Sequence, residues 1–260
     1  MKLSVQEKSD EKLKFTLQGV SAAYANTLRR LMLGEVPTMA IEDVSFTHND
    51  SILYDEILAH RLGLVVWNTD LDSYNMTSAC PCKGAGCPQC QLKVTLSVTG
   101  PKTVYAKDLK SADPNVRPVH PDTLLVKINE GQELEFEAIA TLGTGKEHSK
   151  WDPGLIWYYH EPNIKVNNNH KDFDAFKDKY PPHVFDETGK IDKKRISTPQ
   201  LIDAVTGVND EIVNVKLDTD SFVFVVESFG ALPAHEIVTR ALGVFDAQIE
   251  EFAKLIKSEL

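Results

Sequence analysis

Leu13-Lys14-Phe15-Thr16-Leu17-Gln18, followed by Ser21-Ala22-Ala23-Tyr24-Ala25-Asn26-Thr27-Leu28-Arg29-Arg30-Leu31, sets how this chain begins to fold. Over residues 11–19 apolar and polar side chains alternate, the two-residue period of a half-buried strand. Ser21 is placed to cap a helix over 22–33, with Gly34 at its end and Pro37 confirming the stop. The apolar face of that helix uses Tyr24, Leu28 and Leu31, while Asn26, Arg29 and Arg30 point elsewhere. The far end of the chain repeats the order of strand and then helix. Phe222-Val223-Phe224-Val225-Val226 is apolar on both faces and reads as a buried strand. Pro233 then opens a helix running to Glu259. Val238, Leu242, Phe245, Ile249, Phe252 and Ile256 recur along it at spacings of three and four. A helix of about 27 residues is ~40 Å long, more than a small domain needs to cover its own sheet. Such a stripe packs either on the chain's own sheet or on a partner.

Between these ends the chain is rich in strands. Ile41 to Phe46 and Leu92 to Val98 read as strands. Leu124 to Ile128 and Leu134 to Ala140 flank Asn129-Glu130-Gly131-Gln132, a pattern that predicts a hairpin. From 163 to 200 the chain is polar, with a short helix expected over Lys171–Lys179 and a break at Tyr180-Pro181-Pro182. That part is either a small subdomain or a mobile excursion. There is no internal repeat.

The length of 260 residues suits one or two domains, and 42% hydrophobic against 25% charged residues permits a proper core. The net charge is −10, from 38 acidic and 28 basic side chains. A chain that grips phosphates by itself needs the opposite balance. The first residues lack the apolar core of a signal peptide, and no run of apolar residues is long enough to span a membrane. The expectation is a soluble, intracellular protein.

All four cysteines fall in Cys80-Pro81-Cys82-Lys83-Gly84-Ala85-Gly86-Cys87-Pro88-Gln89-Cys90. Four thiolates satisfy one tetrahedral zinc ion with no open position, the mark of a structural site. An iron–sulfur centre and an unmetallated thiol cluster are the other readings; the spacing departs from the ferredoxin run. Catalytic candidates are weak. Gly143-Thr144-Gly145-Lys146 fails as a phosphate loop because Ala140 and Glu147 stand where glycine and a hydroxyl residue are needed. Asp172 and Asp174 read as a solvated acidic turn, His235 as surface, and the eight histidines lack metal-ligand spacing. Arg29 and Arg30 project about 100° apart, so one carboxylate cannot serve both. They are either two solvated charges or two bidentate contacts to a partner.

Asn26-Thr27-Leu28-Arg29-Arg30 and Glu35-Val36-Pro37-Thr38-Met39-Ala40-Ile41 resemble the opening signature of the alpha-type RNA polymerase subunits. The resemblance continues through Leu53-Tyr54-Asp55-Glu56-Ile57-Leu58-Ala59-His60-Arg61-Leu62-Gly63-Leu64 and Val104 to Leu109. It extends through Gly145 to Trp151 and Val226 to Pro233. Together the blocks are similar to the archaeal D-type subunit, the counterpart of bacterial alpha and of the third-largest eukaryotic polymerase II subunit. The resemblance implies an α+β fold with a discontinuous dimerisation domain, helices on an antiparallel sheet, from 1–45 and 210–260. A mainly β insert domain would occupy 46–209, with a zinc loop at 80–90 and a small polar subdomain at 163–205. It implies a non-catalytic scaffold of a nucleotidyltransferase whose active-site aspartates and magnesium lie on other chains. The first and last helices would meet the L-type small subunit, and the pair would dock the N- and P-type small subunits and the large catalytic subunits. Asn26, Arg29 and Arg30 would lie on the partner-facing surface, the arginines toward the second-largest subunit. The compartment would be the cytoplasm in an archaeon and the nucleus in a eukaryote.

Two departures matter. Some archaeal relatives carry iron–sulfur cysteines in the subdomain position, whereas this chain has none at 163–205, so no cluster is expected there. The loop at 80–90 resembles the eukaryotic zinc loop with one extra residue between the pairs. A free-standing zinc-loop nucleic-acid-binding protein and a stand-alone metalloenzyme are the competing readings, and neither accounts for the blocks at both ends.

Overall fold

The computed structural model describes residues 1–259. In chain order the elements are β1 (Lys2–Lys8), β2 (Lys12–Gln18), α1 (Ala22–Gly34), β3 (Thr38–Asn49), α2 (Asp55–Gly63), β4 (Gln91–Thr99), β5 (Lys102–Tyr105) and β6 (Lys110–Ser111). They continue as β7 (Leu124–Ile128), β8 (Glu133–Gly143), β9 (Gly154–Val166), α3 (Phe173–Phe176), α4 (Pro199–Val205), β10 (Val213–Ser228) and α5 (Ala234–Glu259). Two compact units result. Among the described residues, one contains 1–6, 14–25 and 157–224; the other contains 7–13, 26–156 and 225–259. The architecture is mixed α and β, with sheets ordered β1-β2-β10-β9, β3-β8-β4-β6 and β5-β7.

In the first unit the expected alternation of β2 is broken at Thr16, which is buried along with Phe15 and Leu17, and the Phe15 ring stacks on Phe224 of β10 at 5.0 Å between centroids. Ser21 caps α1 as expected, its Oγ accepting from the Tyr24 backbone N–H at 3.2 Å. The polar stretch after β9 is an ordered subdomain with its own core, in which Phe173, Tyr180, Val184, Ile196, Ile202 and Ile212 are buried together. The short helix expected over 171–179 forms at Phe173–Phe176 and tightens to a 3-10 turn at Lys177–Lys179. Thr198 caps α4, and Pro199 sits in its first turn, where a missing N–H costs nothing.

The second unit is built around β8. This strand alternates between half-buried and buried side chains from Glu133 to Leu142 and pairs antiparallel with β3 on one edge and β4 on the other. Leu134, Phe136, Ala138 and Ala140 therefore point into a core shared with Leu58 and Leu62 of α2 and with Leu92, Val94 and Leu96 of β4. The hairpin expected between 124–128 and 134–140 does not form. The turn is present, with Gly131 at φ 76° and the Gln132 N–H donating to the Asn129 carbonyl at 3.2 Å. Both edges of β8 are already occupied along its length, so β7 has no edge to join and pairs with β5 instead. The inward stripe of α1 also differs in detail. Ala25 and Met32 are buried beside Leu28 and Leu31, while Tyr24 is only half-buried.

Strands β9 and β10 approach closely at one point. A methyl group on Gly154 would lie 2.3 Å from the Glu227 carbonyl oxygen. Gly154→Ala is expected to destabilise the fold by about 1–3 kcal/mol through this overlap. Urea unfolding measures it; an unchanged midpoint would mean that the backbone yields freely there.

Candidate metal centre and interaction surface

The cysteine loop is two turns facing each other. The Lys83 N–H donates to the Cys80 carbonyl at 2.9 Å, and the Cys90 and Gln91 N–H groups both donate to the Cys87 carbonyl at 2.9 Å. The short link between the turns reverses through Gly84 and Gly86, at φ 84° and 80°, a conformation that a side chain at Cβ disfavours. Cys90 leads directly into β4, and the Asn75 N–H closes the base of the loop on the Gln89 carbonyl at 2.8 Å. The loop is thus mounted on a core strand.

This backbone brings the four thiols together. Cys80 and Cys87 Sγ are 3.5 Å apart, Cys82 and Cys90 3.6 Å, and Cys87 and Cys90 3.9 Å. All four sulfurs lie within 4.8 Å of one another, with Cys80 and Cys90 buried. A tetrahedral ion with bonds of about 2.3 Å to sulfur needs sulfurs about 3.8 Å apart. The donor set fits one bound metal ion.

The close thiols shift Cys82 and Cys80 in opposite directions. Hydrogen bonds from the Cys80 and Cys90 thiols lower Cys82 to about 6. The Cys82 backbone N–H favours the Cys80 thiolate, yet burial and the shared thiol hydrogen bonds push Cys80 up to about 12. Metal and protons therefore compete for the same sulfurs, and a bound ion must displace protons. Metal content is expected to fall as the pH drops from about 8 toward 5, because each ligand that regains a proton leaves the ion. Metal analysis after dialysis across that range checks it; constant loading would show that the cysteines are not the ligands.

The proposed partner-facing residues occupy two helices. On α1, Asn26 Oδ1 accepts from Arg29 Nε at 3.2 Å and Nη2 at 3.0 Å, fixing that guanidinium on the helix surface. Arg30 is exposed, and both arginines line a shallow cleft with Glu35, Lys146 and Asp152. Burial raises the Asp152 carboxyl above the usual carboxylate range. The glycine-rich turn at 143–146 serves the fold here, with the Lys146 N–H donating to the Gly34 carbonyl at the end of α1 at 3.0 Å.

Helix α5 is most deeply buried at its start. Ala234, Ile237 and Ala241 are buried, and Arg240 Nη2 binds Asp72 Oδ1 and Glu236 Oε1, each at 3.0 Å. His235 is exposed there, as expected. Val238 and Phe245 are half-buried, while Leu242, Ile249, Phe252 and Ile256 are exposed, Phe252 by 65%. The structure adds Leu255, which the spacing rule passed over although it lies three residues beyond Phe252; it is 57% exposed. The sequence reading also missed Ile52, Tyr54 and Ile57, three exposed apolar residues at the start of α2. Pattern alone could not find them, since an apolar residue in a turn looks the same whether it points inward or outward.

Comparison with known proteins places this geometry in a family. Residues 40–156 match the RNA polymerase Rpb3/RpoA insert domain. The chain is 38% identical to DNA-directed RNA polymerase subunit Rpo3 of Archaeoglobus fulgidus, over 98% of this chain and 97% of the relative. It is 35% identical to the Methanosphaera stadtmanae subunit of that name over the whole of both chains. With the Pyrococcus horikoshii subunit it shares 37% identity over 97% of this chain and 96% of the relative. No described helix is long and apolar enough to cross a membrane. Matched end to end at these identities, the chain belongs to the family of archaeal alpha-like RNA polymerase subunits named Rpo3.

Proposed function

We propose that this chain is the D-type assembly subunit of a DNA-directed RNA polymerase. In this reading it supplies no catalytic residue. It pairs with the L-type small subunit through α1 and the outer half of α5, and the pair docks the N- and P-type small subunits and the large catalytic subunits. The dimerisation domain comprises 1–45 and 210–260, and 46–209 form the insert domain; the family match at 40–156 supports the insert reading for the first part of that span. Asn26, Arg29 and Arg30 face a large subunit, the arginines being suited to bidentate contact with carboxylates. Cys80, Cys82, Cys87 and Cys90 hold one structural zinc ion. Sulfurs all within 4.8 Å favour a single ion over a multi-iron cluster, which needs room for its own sulfides.

The observation that carries the assembly reading is the outward apolar stripe of α5. Ile249, Phe252, Leu255 and Ile256 are all exposed toward the end of a helix whose buried residues, Ala234, Ile237 and Ala241, lie in its first turns. A patch of this kind marks a protein interface. Co-expression with the L-type subunit followed by size-exclusion chromatography tests it. A 1:1 complex is expected, and the chain alone should self-associate as its concentration rises. A folded chain that stays monomeric and forms no complex would overturn the reading.

A further inference from the structure

The ordered subdomain after β9 departs from the charge of the chain that carries it. Residues 176–196 hold six basic and four acidic side chains, whereas the whole chain holds 28 basic against 38 acidic. Two of those four acids are engaged by the backbone. Asp186 Oδ1 accepts from the Thr188 N–H at 2.8 Å, from its hydroxyl at 2.7 Å and from the Lys190 N–H at 3.0 Å. Asp192 Oδ1 accepts from the Lys194 N–H at 2.9 Å. Among the described residues, no carboxylate pairs with any of the six cations, whereas Lys93, Lys102 and Lys107 elsewhere are paired.

The cations are positioned by groups other than acids. A small hairpin closes between Phe185 and Ile191, with the Asp186 N–H donating to the Lys190 carbonyl at 2.8 Å. Arg195 Nη1 donates to the Phe185 carbonyl at 2.6 Å. Lys177 Nζ lies 5.8 Å from the Phe185 ring centroid, and a methyl group on Gly189 would come within 2.9 Å of that nitrogen. Lys177, Lys190 and Arg195 therefore gather on one hairpin. Lys179 Nζ lies 4.4 Å from the Phe176 ring centroid, and both rings pack against the subdomain core. A ring face attracts an ammonium group without neutralising it, so the charge is placed and still available. Lys193 and Lys194 are exposed on the turn that ends in Arg195.

The make-up of this patch selects its ligand. Five of the six cations are lysines, point charges that suit phosphate, whereas bidentate recognition of carboxylates favours arginine. No large hydrophobic residue between 156 and 216 is exposed, so the patch lacks the apolar centre of a protein interface. A string of phosphates meets both conditions, and in a family of RNA polymerase subunits that polyanion is nucleic acid.

We propose that Lys177, Lys179, Lys190, Lys193, Lys194 and Arg195 bind the phosphate backbone of nucleic acid without regard to sequence. The acidic surplus of the rest of the chain opposes long-range attraction, so the hold is local and fades with salt. It does not depend on how the chain pairs with the L-type subunit. The test is fluorescence anisotropy of a labelled mixed-sequence RNA, and separately of a labelled duplex DNA, titrated with the full chain at several salt concentrations. Lys190→Gln/Lys193→Gln/Lys194→Gln is compared with Lys2→Gln/Lys8→Gln/Lys216→Gln, which removes the same charge outside the patch. All six of these side chains are exposed, so both variants should fold. The first should bind RNA at least about tenfold more weakly, with a log–log salt slope flatter by about 2, since each phosphate contact on a single strand contributes about 0.7. The second should bind as the unsubstituted chain does. Binding of either nucleic acid supports the proposal, and the tighter of the two names the form that the surface meets. Unchanged binding by the first variant, equal weakening in both, or no binding by the unsubstituted chain at low salt would overturn it. Displacement of the RNA by poly-glutamate at equal charge concentration would assign the patch to an acidic polypeptide and overturn it too.

Discussion

Phe252→Asp should abolish pairing with the L-type subunit while leaving the chain itself folded. In the free chain the Phe252 ring is 65% exposed, so a carboxylate there stays hydrated. Substitutions at such positions change stability by about 0.5 kcal/mol or less. In the complex the same carboxylate would lie in an apolar interface without a partner, which costs several kcal/mol. A loss of about 4 kcal/mol is roughly a thousandfold in affinity. Phe245→Asp is expected to act in the same direction, with some loss of stability because Phe245 is half-buried. Titration of the two purified subunits measures the first effect, and thermal unfolding of the free chain separates it from the second. Undiminished pairing by both variants would mean that the stripe serves another purpose.

Cys87→Ser should release the metal and loosen the loop without unfolding the core. A serine hydroxyl cannot replace a thiolate in a site of this kind, and three ligands leave one coordination position to water. The consequence is local, because the loop hangs from β4 while the core side chains Leu92, Val94 and Leu96 stay packed on β8. Lys83 offers a direct probe. It is exposed, sits at φ 55°, and lies in the link between the two turns. Once the ion is gone that link keeps backbone hydrogen bonds such as the one from the Ala85 N–H to the Cys82 carbonyl at 3.2 Å but loses its anchor at the four sulfurs, and trypsin should cut after Lys83 at least about ten times faster, since proteolysis follows the population of the open form. Chelation of the metal in the unsubstituted chain should give the same cut, and added zinc should protect. Equal cleavage rates with and without metal would show that the ion does not organise the loop.

How far the sequence could be read follows from how local each feature is. The cysteine loop was legible because its ligands lie within eleven residues and the turns between them are set by glycine and proline. Strand β2 and the stripe of α5 were legible for the same reason, their sequence pattern being periodic within one element. Strand partners were not. Residues 129–132 form the expected turn, but whether β7 and β8 pair depends on β3 and β4, which arrive from 38–49 and 91–99 and take both edges of β8. The order in the polar stretch was equally hidden. Its core residues, such as Phe173, Val184, Ile196 and Ile212, are scattered singly between charged neighbours and show no period. The direction of Ile52 and Tyr54 was invisible because it is imposed by the hydrogen bonds of Asn49 with Ser51, Leu53 and Asp55. The role of Asn26 was half-visible: it stood beside the arginines in the motif, and the structure shows it holding Arg29.

Backbone hydrogen exchange over residues 242–259, compared between the free chain and its complex with the L-type subunit, tests the assembly reading most directly. Ile249, Phe252, Leu255 and Ile256 in the outer turns of α5 are exposed, so in the free chain the amides there should exchange through easy fraying. Burial of Ile249, Phe252 and Ile256 in the complex should slow that exchange by at least about tenfold, while peptides from the β8 core stay unchanged. A complex that forms with the exchange of 242–259 unaltered would contradict the account, because the subunits would then meet through some other surface.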